Sequence, residues 1–151
     1  MLDPAEGLNW IDVGSGAGFP GLVLKIACPE LNVTLVEAAE KKVTFLHHMI
    51  GSLSLTGISV IHDRLERLTG STWEKRFDLL TSRALNPLLV LDKGKPLVLP
   101  GGKILFFQAR PDRTVWEHRL EEYPGVVLER MAPVSLPFSD TPRTLVLLKV
   151  A

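Results

Sequence analysis

The sequence predicts a doubly wound α/β fold with a mostly parallel sheet and an antiparallel last strand. Short apolar runs alternate with amphipathic segments along the 151 residues, which is typical of parallel βαβ units with helices on both faces of the sheet. The segment SLPFSDTPR separates the last two apolar runs. It is long enough for a hairpin loop and too short for a crossover helix, so the last strand is expected to run antiparallel to its neighbour.

The first half of the chain contains three strand signals and two helix signals. The runs NWIDV, NVTLVE and ISVIH are apolar or β-branched and predict strands. The run PGLVLKIA predicts a helix with Pro20 near its first position. A second helix presents one face to the core, because apolar residues recur in it at steps of three and four. The predicted strands are 9–13, 32–37 and 58–62, and the predicted helices are 20–27 and 40–53.

The second half continues the alternation and then departs from it. The run PLLVLDKGKPLVL predicts a helix that ends near residues 94–96, and the Pro-Gly pair at 100 and 101 predicts a type II turn before the next strand. The predicted strands are 77–82, 103–107, 126–131 and 144–150, and a further helix is predicted around 112–122. No internal repeat or linker divides the chain, so we expect one domain over residues 1–151.

Composition excludes several classes of function. No apolar run is long enough to span a membrane and no signal peptide is recognisable, so the cytoplasm is the expected location. Cys28 is the single cysteine, which excludes an internal disulfide and a zinc site built on cysteine pairs. His47 and His48 are adjacent on a predicted helix and diverge, so no metal site is expected. Lys and Arg total 17, as do Asp and Glu, which argues against strong non-specific binding of nucleic acid.

A glycine-rich segment, GSGAGFPG, follows the first predicted strand. Glycines at this point let the backbone turn sharply and let a ligand touch the main chain at the carboxyl ends of the strands. Glu37 ends the second predicted strand, 21 residues after Gly16, where a carboxylate accepts hydrogen bonds from ribose hydroxyls. The glycines and the acid together predict a nucleoside cofactor.

The identity of that cofactor is decided by the residues around the glycines. Gly16, Gly18 and Gly21 match G-x-G-x-x-G, so a nicotinamide dinucleotide is one interpretation. Asp12 extends the pattern to D-x-G-x-G-x-G, which is typical of class I S-adenosylmethionine-dependent methyltransferases, as is an antiparallel last strand. Asp12 either lies near the sulfonium or amino end of that cofactor or holds the loop by bonds to backbone amides.

The stretch DVGSGAGFPGLVLKIACPELNVTLVEAAEKKVTFL resembles the bacterial 16S ribosomal RNA guanine-N7 methyltransferases, the family also called glucose-inhibited division protein B. The resemblance covers roughly residues 9–107, and Gly-Phe-Pro-Gly is its most specific element. Further matching features are an acid at the end of the second strand, KKVTFL on the next helix, DRLERL after the third strand, and Ser-Arg-Ala after the fourth.

The resemblance implies a Rossmann-like class I methyltransferase fold, S-adenosylmethionine as cofactor, and 16S ribosomal RNA or the small ribosomal subunit as partner. It implies these cofactor-binding residues: Asp12, Gly14, Gly16, Gly18 and Phe19 in and before the loop, Glu37 on the ribose, and Leu65 and Glu66 by the adenine. It also implies Arg83 as the catalytic candidate at the mouth of the site, available to the cofactor carboxylate or the RNA. The residues alone leave alternatives open: a solvated acid for Glu66 and a surface salt bridge for Arg83.

Two departures from the family pattern affect the expected function. Relatives usually carry a helical segment before the first strand, whereas this chain reaches the loop by Gly14, so residues 1–151 are expected to lack that segment. Gln108 and Ala109 stand where the family commonly has Lys-Gly, and loss of that lysine removes a point charge. Arg110 and Arg113 are possible replacements. We therefore expect weak binding to isolated ribosomal RNA.

The chemistry implied by the resemblance needs few catalytic groups. Guanine N7 carries a lone pair and no proton, so methyl transfer to it needs no general base and depends on alignment and electrostatics. Two other interpretations remain open. One is a cofactor-binding remnant without catalysis, and the other is a nicotinamide-dependent oxidoreductase, for which the sequence offers no Tyr-Lys or His-based hydride-transfer site.

Overall fold

The computed structural model describes residues 7–68, 70, 72–136 and 139–151, and within them it contains seven strands and four α-helices. The strands are β1 (Asn9–Val13), β2 (Asn32–Glu37), β3 (Ile58–His62), β4 (Phe77–Ser82), β5 (Val98–Gln108), β6 (Val126–Leu136) and β7 (Ser139–Val150). The helices are α1 (Gly21–Ala27), α2 (Glu40–Ser52), α3 (Pro87–Gly94) and α4 (Arg113–Leu120). Short 3₁₀ turns follow β3, at Leu65–Arg67, and α3, at Lys95–Leu97.

The strands form one sheet in the order β3-β2-β1-β4-β5-β7-β6. The pairs among β1 to β5 are parallel, whereas β7 is antiparallel to both β5 and β6. The predicted doubly wound sheet with an antiparallel last strand is therefore confirmed. Strand order reverses between β1 and β4, so the carboxyl ends of these two strands open the crevice in which such sheets bind ligands.

The predicted bounds of β5, β6 and β7 are too short, because all three strands extend into sequence that reads as a turn. β5 begins at Val98, and Pro100 and Gly101 lie inside it, where the pairing with β4 shifts register and Gly101 has φ +84°. Most of SLPFSDTPR is paired strand, with Val134 opposite Arg143. Positions 137 and 138 of that segment lie outside the described residues. A strand that can pair with a neighbouring strand continues through residues that would favour a turn in isolation.

Helices cover the sheet on both faces, and each face buries its own apolar cluster. Leu22 of α1 and Leu46 of α2 pack with Trp10, whereas Val90 of α3 and Trp116 of α4 pack in the cluster on the other face. Within the part of the chain that the structure describes, no helix is long and apolar enough to cross a membrane.

The start of α1 lies against the strands with no room for a larger side chain. A Cβ atom placed on Gly21 would stand 2.4 Å from Leu35 Cδ2 and 2.9 Å from Asp12 Oδ2. By contrast, a Cβ atom on Gly51 of α2 would meet nothing within 4 Å. Both glycines lie in helices, so substituting each by alanine changes the backbone entropy alike, and only the substitution at Gly21 also changes the packing.

We expect Gly21→Ala to lower the free energy of unfolding by about 1–3 kcal/mol, because the added methyl overpacks the contact between α1 and β2. Gly51→Ala is the control, and it should raise the free energy of unfolding by about 0.5–1 kcal/mol because alanine loses less entropy in a helix. Urea unfolding of the three proteins measures both effects. Equal changes for the two variants would contradict the close packing at Gly21.

Candidate functional site

The loop between β1 and α1 is built on glycines in the left-handed region of backbone conformation. Gly14, Gly16 and Gly18 have φ of +71°, +60° and +90°, values that other residues rarely adopt. The N–H groups of Gly14 and Ser15 both donate to the Val36 carbonyl, at 2.9 and 3.0 Å. The loop therefore lies beside the end of β2, as the glycine pattern predicts.

Glu37 ties this loop to the start of α2. Its side chain is only 7% exposed, and its two carboxylate oxygens accept from different segments. Oε2 accepts from the Gly16 N–H at 2.8 Å, and Oε1 accepts from the Ala39 N–H at 2.9 Å. Each carboxylate oxygen has a further lone pair, so these bonds leave acceptor capacity for a ligand hydroxyl.

Asp12 lies beneath the loop and is 1% exposed, and both of its carboxylate oxygens accept hydrogen bonds from protein groups. Its Oδ2 accepts from the Gly21 N–H at 3.1 Å, and its Oδ1 accepts from the Thr81 hydroxyl at 2.7 Å. The Thr81 oxygen in turn accepts from Trp10 Nε1 at 2.9 Å. Of the two roles the sequence left open for Asp12, the geometry matches the second, in which the carboxylate holds the loop through a backbone amide.

The environment of Asp12 changes its acidity. Burial raises the pKa of Asp12 from 3.8 to about 6, against the lowering effects of the Thr81 hydroxyl, the Gly21 amide and the nearby Arg83 guanidinium. The folded protein therefore binds a proton at Asp12 more tightly than the unfolded chain does.

A cavity of about 260 Å³ opens beyond the carboxyl ends of the first strands, next to the loop. Four of the residues proposed for a cofactor line it, namely Gly14, Glu37, Leu65 and Glu66. The other lining residues are Val36, Ala38, Lys42, Asp63, Arg64, Ala84, Leu85 and Leu89. Lys42 and Arg64 are additions to the site predicted from sequence, although both lie in the segments KKVTFL and DRLERL that carry the family resemblance.

The far wall of the cavity comes from the turn after β3. Leu65 is buried in the core, which fixes the 3₁₀ turn, and Glu66 is exposed beside it. The Arg64 N–H donates to Asp63 Oδ1 at 2.8 Å and closes the start of the turn. An apolar side chain and charged side chains thus face the cavity together.

Phe19 and Arg83 lie elsewhere, in a larger groove of about 810 Å³. Arg83 Cζ stands 5.7 Å from the centroid of the Phe19 ring, within the range of a cation–π contact. The surface salt bridge that the residues alone left open for Arg83 is not found, since Arg83 has no ion pair within the described ranges. Neither residue lines the smaller cavity. Ala84, the residue after Arg83, does line it.

Gln108, expected at the place of the family lysine, and Arg113, one of its two candidate replacements, differ in what they bond. Gln108 lines the groove, and its Oε1 accepts from Trp116 Nε1 at 3.0 Å. Arg113 pairs with Glu117 at 3.1 Å on the surface of α4.

Ser82, in the Ser-Arg-Ala segment, has a buried hydroxyl with no hydrogen-bond partner among the residues that the structure describes.

A metal site was not expected from the sequence. The described residues contain no group of three or more His, Cys, Asp or Glu side chains arranged to hold a metal ion.

Comparison with protein families gives one match over most of the chain. The family model described as rRNA small subunit methyltransferase G matches residues 1–144. Proteins named ribosomal RNA small subunit methyltransferase G are similar in sequence. The protein from Caldanaerobacter subterraneus is 41% identical over 92% of this chain and 59% of its own length, and the one from Chloroflexus aggregans is 41% identical over 93% and 60%. The chain spans about 60% of the length of these curated relatives.

Solved structures resemble the fold at low sequence identity. A SAM-dependent methyltransferase from Aquifex aeolicus superposes with a TM-score of 0.71 at 19% identity, covering 97% of this chain and 84% of that one. A precorrin-6y C5,15-methyltransferase from Geobacter metallireducens superposes with a TM-score of 0.74 at 12% identity, covering 99% and 84%. At these identities the likeness shows the fold: a class I methyltransferase sheet.

The raised pKa of the buried Asp12 makes the free energy of unfolding fall as pH rises. Its pKa is raised on folding, so the stability that its protonated form contributes is present at low pH and is lost as pH rises from about 3.8 to about 6. Between pH 5 and 7, the parent protein should lose about 1–1.5 kcal/mol of unfolding free energy relative to Asp12→Asn, which carries no titrating group there. Urea unfolding of both proteins at pH 5, 6 and 7 measures the difference. Parallel pH profiles would show that Asp12 ionises normally.

Proposed function

Because the chain belongs to the rRNA small subunit methyltransferase G family, we propose that it transfers a methyl group from S-adenosylmethionine to N7 of a guanine in 16S ribosomal RNA. The observation that carries this proposal is the cavity at the carboxyl ends of the strands, where Gly14 and Glu37 meet. The small ribosomal subunit or its RNA is the proposed substrate, and the cytoplasm is the proposed location.

The residues of the cavity fit S-adenosylmethionine. A Cβ atom on Gly16 would have only the Gly14 carbonyl nearby, at 4.0 Å, so the space in front of this glycine is open to a ligand. The Glu37 carboxylate has lone pairs available for ribose hydroxyls, and Leu65 and Leu85 offer apolar contact to a flat adenine ring. We propose that Gly14, Gly16 and Gly18 pass under the methionine part and that Glu66 lies by the adenine.

The proposed reaction asks the protein for orientation more than for proton transfer. S-adenosylmethionine supplies a methyl group on a positively charged sulfur. The guanine N7 lone pair needs no base to expose it, so the protein's task is to align the base, keep water out and stabilise the changing charge. Arg83, exposed at the end of β4 and held near the Phe19 ring, is the proposed catalytic residue because its guanidinium can orient the RNA or the cofactor carboxylate.

The sheet order argues against the nicotinamide interpretation. In the dinucleotide-binding fold the sixth strand continues a parallel sheet, whereas here β7 enters antiparallel between β5 and β6. Asp12 also differs from a hydride-transfer residue, since both of its carboxylate oxygens bond to protein groups beneath the loop.

Two measurements test the proposed function. Calorimetry with S-adenosylmethionine, S-adenosylhomocysteine and NAD should give binding of the first two and none of the third. Transfer of a tritiated methyl group to undermethylated small-subunit RNA, supplied both naked and in assembled particles, should yield 7-methylguanosine after nuclease digestion and chromatography. Cofactor binding with no transfer to either substrate would favour the remnant without catalysis, and binding of NAD would favour an oxidoreductase.

Glu37→Ala should weaken binding of S-adenosylmethionine by about 1.5–3 kcal/mol, the usual scale for hydrogen bonds to a charged group. The physical reason is that the ribose hydroxyls lose their acceptor and the Gly16 amide loses the bond that positions the loop. Glu40→Ala, which removes an exposed carboxylate from the nearby first turn of α2, is the control and should leave the dissociation constant unchanged. Calorimetry on the parent and both variants, after their stability has been verified, measures the dissociation constants of S-adenosylmethionine. Equal affinities for the parent and Glu37→Ala would remove Glu37 from the site.

Arg83→Ala should lower methyl transfer by about 100-fold, the scale expected when reacting groups are misaligned. Arg76 gives a matched control, because its guanidinium lies 5.8 Å from the Trp73 ring centroid in a similar exposed contact away from the cavity and the groove. Both variants should unfold at the parent's temperature. Full activity in Arg83→Ala, or an equal loss in Arg76→Ala, would mean that Arg83 has no specific role in the reaction.

A further inference from the structure

The groove beside Phe19 is a concave surface that the proposed cofactor site does not use. It is about 810 Å³ and lies between the start of α1, the ends of β4 and β5, and the start of β7. Phe19, Val23, Phe107 and Leu145 give it apolar walls. On this face α1 and α2 pack over β1, β2 and β3, so no helix of the described residues covers the part of the sheet toward β7.

The groove and the cofactor cavity are neighbours along the chain. Arg83 lines the groove, and the next residue, Ala84, lines the cavity. Both residues follow the carboxyl end of β4, at the point where the strand order reverses. A methyl donor in the cavity and an acceptor in the groove would therefore lie on either side of residues 83 and 84. This step of the inference rests on the function proposed above.

The lining of the groove has the chemistry of a nucleobase site. Phe19 is 48% exposed, so part of its ring is accessible to a ligand in the groove. Unpaired bases stack on exposed aromatic rings and on arginine guanidinium planes. Phe19 offers the first, and Arg83 and Arg143 offer the second, together with positive charge for the neighbouring phosphates.

The polar groups of the groove are mainly hydrogen-bond donors. The residues that line it in the described part of the chain include Arg83 and Arg143 and no Asp or Glu. Trp116 Nε1 donates to the Gln108 amide oxygen, which orients the amide and leaves its NH₂ group as the half that Trp116 does not hold. Guanine presents two acceptors, O6 and N7, on its major-groove edge, whereas adenine presents an acceptor and an amino donor. Donors therefore match guanine better, through O6, while N7 stays free to react.

We propose that this groove binds the target guanine of a single-stranded RNA segment, with the base stacked on Phe19 and its O6 edge facing the Gln108 amide. Trp116 acts as a positioning residue, because its N–H orients the Gln108 amide.

A nucleotide titration tests the groove without relying on activity. Guanosine and adenosine 5′-monophosphate are added separately to isotope-labelled protein saturated with S-adenosylhomocysteine, and amide shifts are followed by NMR. The guanine nucleotide should shift the amides of Phe19, Arg83 and Gln108 and bind at least threefold more tightly than the adenine nucleotide. Phe19→Leu and Gln108→Glu should each weaken that binding. Shifts confined to other surfaces, absent at about 20 mM nucleotide, or unchanged in Phe19→Leu would overturn the proposal.

Methyl transfer gives the second readout. Phe19→Leu should lower kcat/KM for RNA by about 5- to 100-fold, the range that follows from loss of one base-stacking ring, and leave the dissociation constant of S-adenosylmethionine within twofold of the parent value. Phe45→Leu is the matched control, since Phe45 is 43% exposed on α2 and lies outside the groove. Equal losses in both variants, or loss of cofactor binding in Phe19→Leu, would overturn the groove assignment. Absence of transfer in the parent would count against the proposed function, and the nucleotide titration would still decide the groove.

Discussion

The carboxylate of Asp12 is the interaction on which the glycine loop depends. It joins the first residue of α1, through the Gly21 amide, to β4, through Thr81, and so fixes how the chain leaves β1. Burying a carboxylate is costly unless its oxygens are bonded, and here the cost is visible as a raised pKa. Gly21 allows this arrangement because any Cβ there would collide with Leu35 and Asp12 itself. The loop above Asp12 can then adopt positive φ at Gly14 and Gly16, because glycine has no side chain to prevent it.

A second carboxylate completes the arrangement from the other side. Glu37 bonds the Gly16 amide and the Ala39 amide, so the loop, the end of β2 and the start of α2 form one support for the cavity. The two acids divide the work. Asp12 is buried and holds the start of α1 and β4 together, whereas Glu37 lines the cavity and keeps acceptor capacity for a ligand. Such preorganisation matters for a reaction in which alignment supplies most of the rate.

The two concave surfaces share the short segment after β4. Arg83 lies in the groove, Ala84 and Leu85 lie in the cavity, and the buried Ser82 hydroxyl precedes them without a protein partner among the described residues. A donor and an acceptor molecule bound on the two sides would be held by one piece of backbone. The sequence indicated that Ser-Arg-Ala mattered, but not that its members face different surfaces, because that depends on where α1 and β5 come to lie around it.

The sequence by itself determined the order and type of the elements and the identity of the glycine loop, because these follow from periodicity and from residues close together in the chain. Glu37 was also within reach, since it ends a recognisable strand. Tertiary structure alone decided the partners of Asp12, because Thr81 is 69 residues away and no local pattern marks it. It likewise decided that Phe19 meets Arg83, that Gln108 meets Trp116, and that β5 and β7 extend through turn-like segments. Each of these depends on contacts between distant segments, which form only when the sheet assembles.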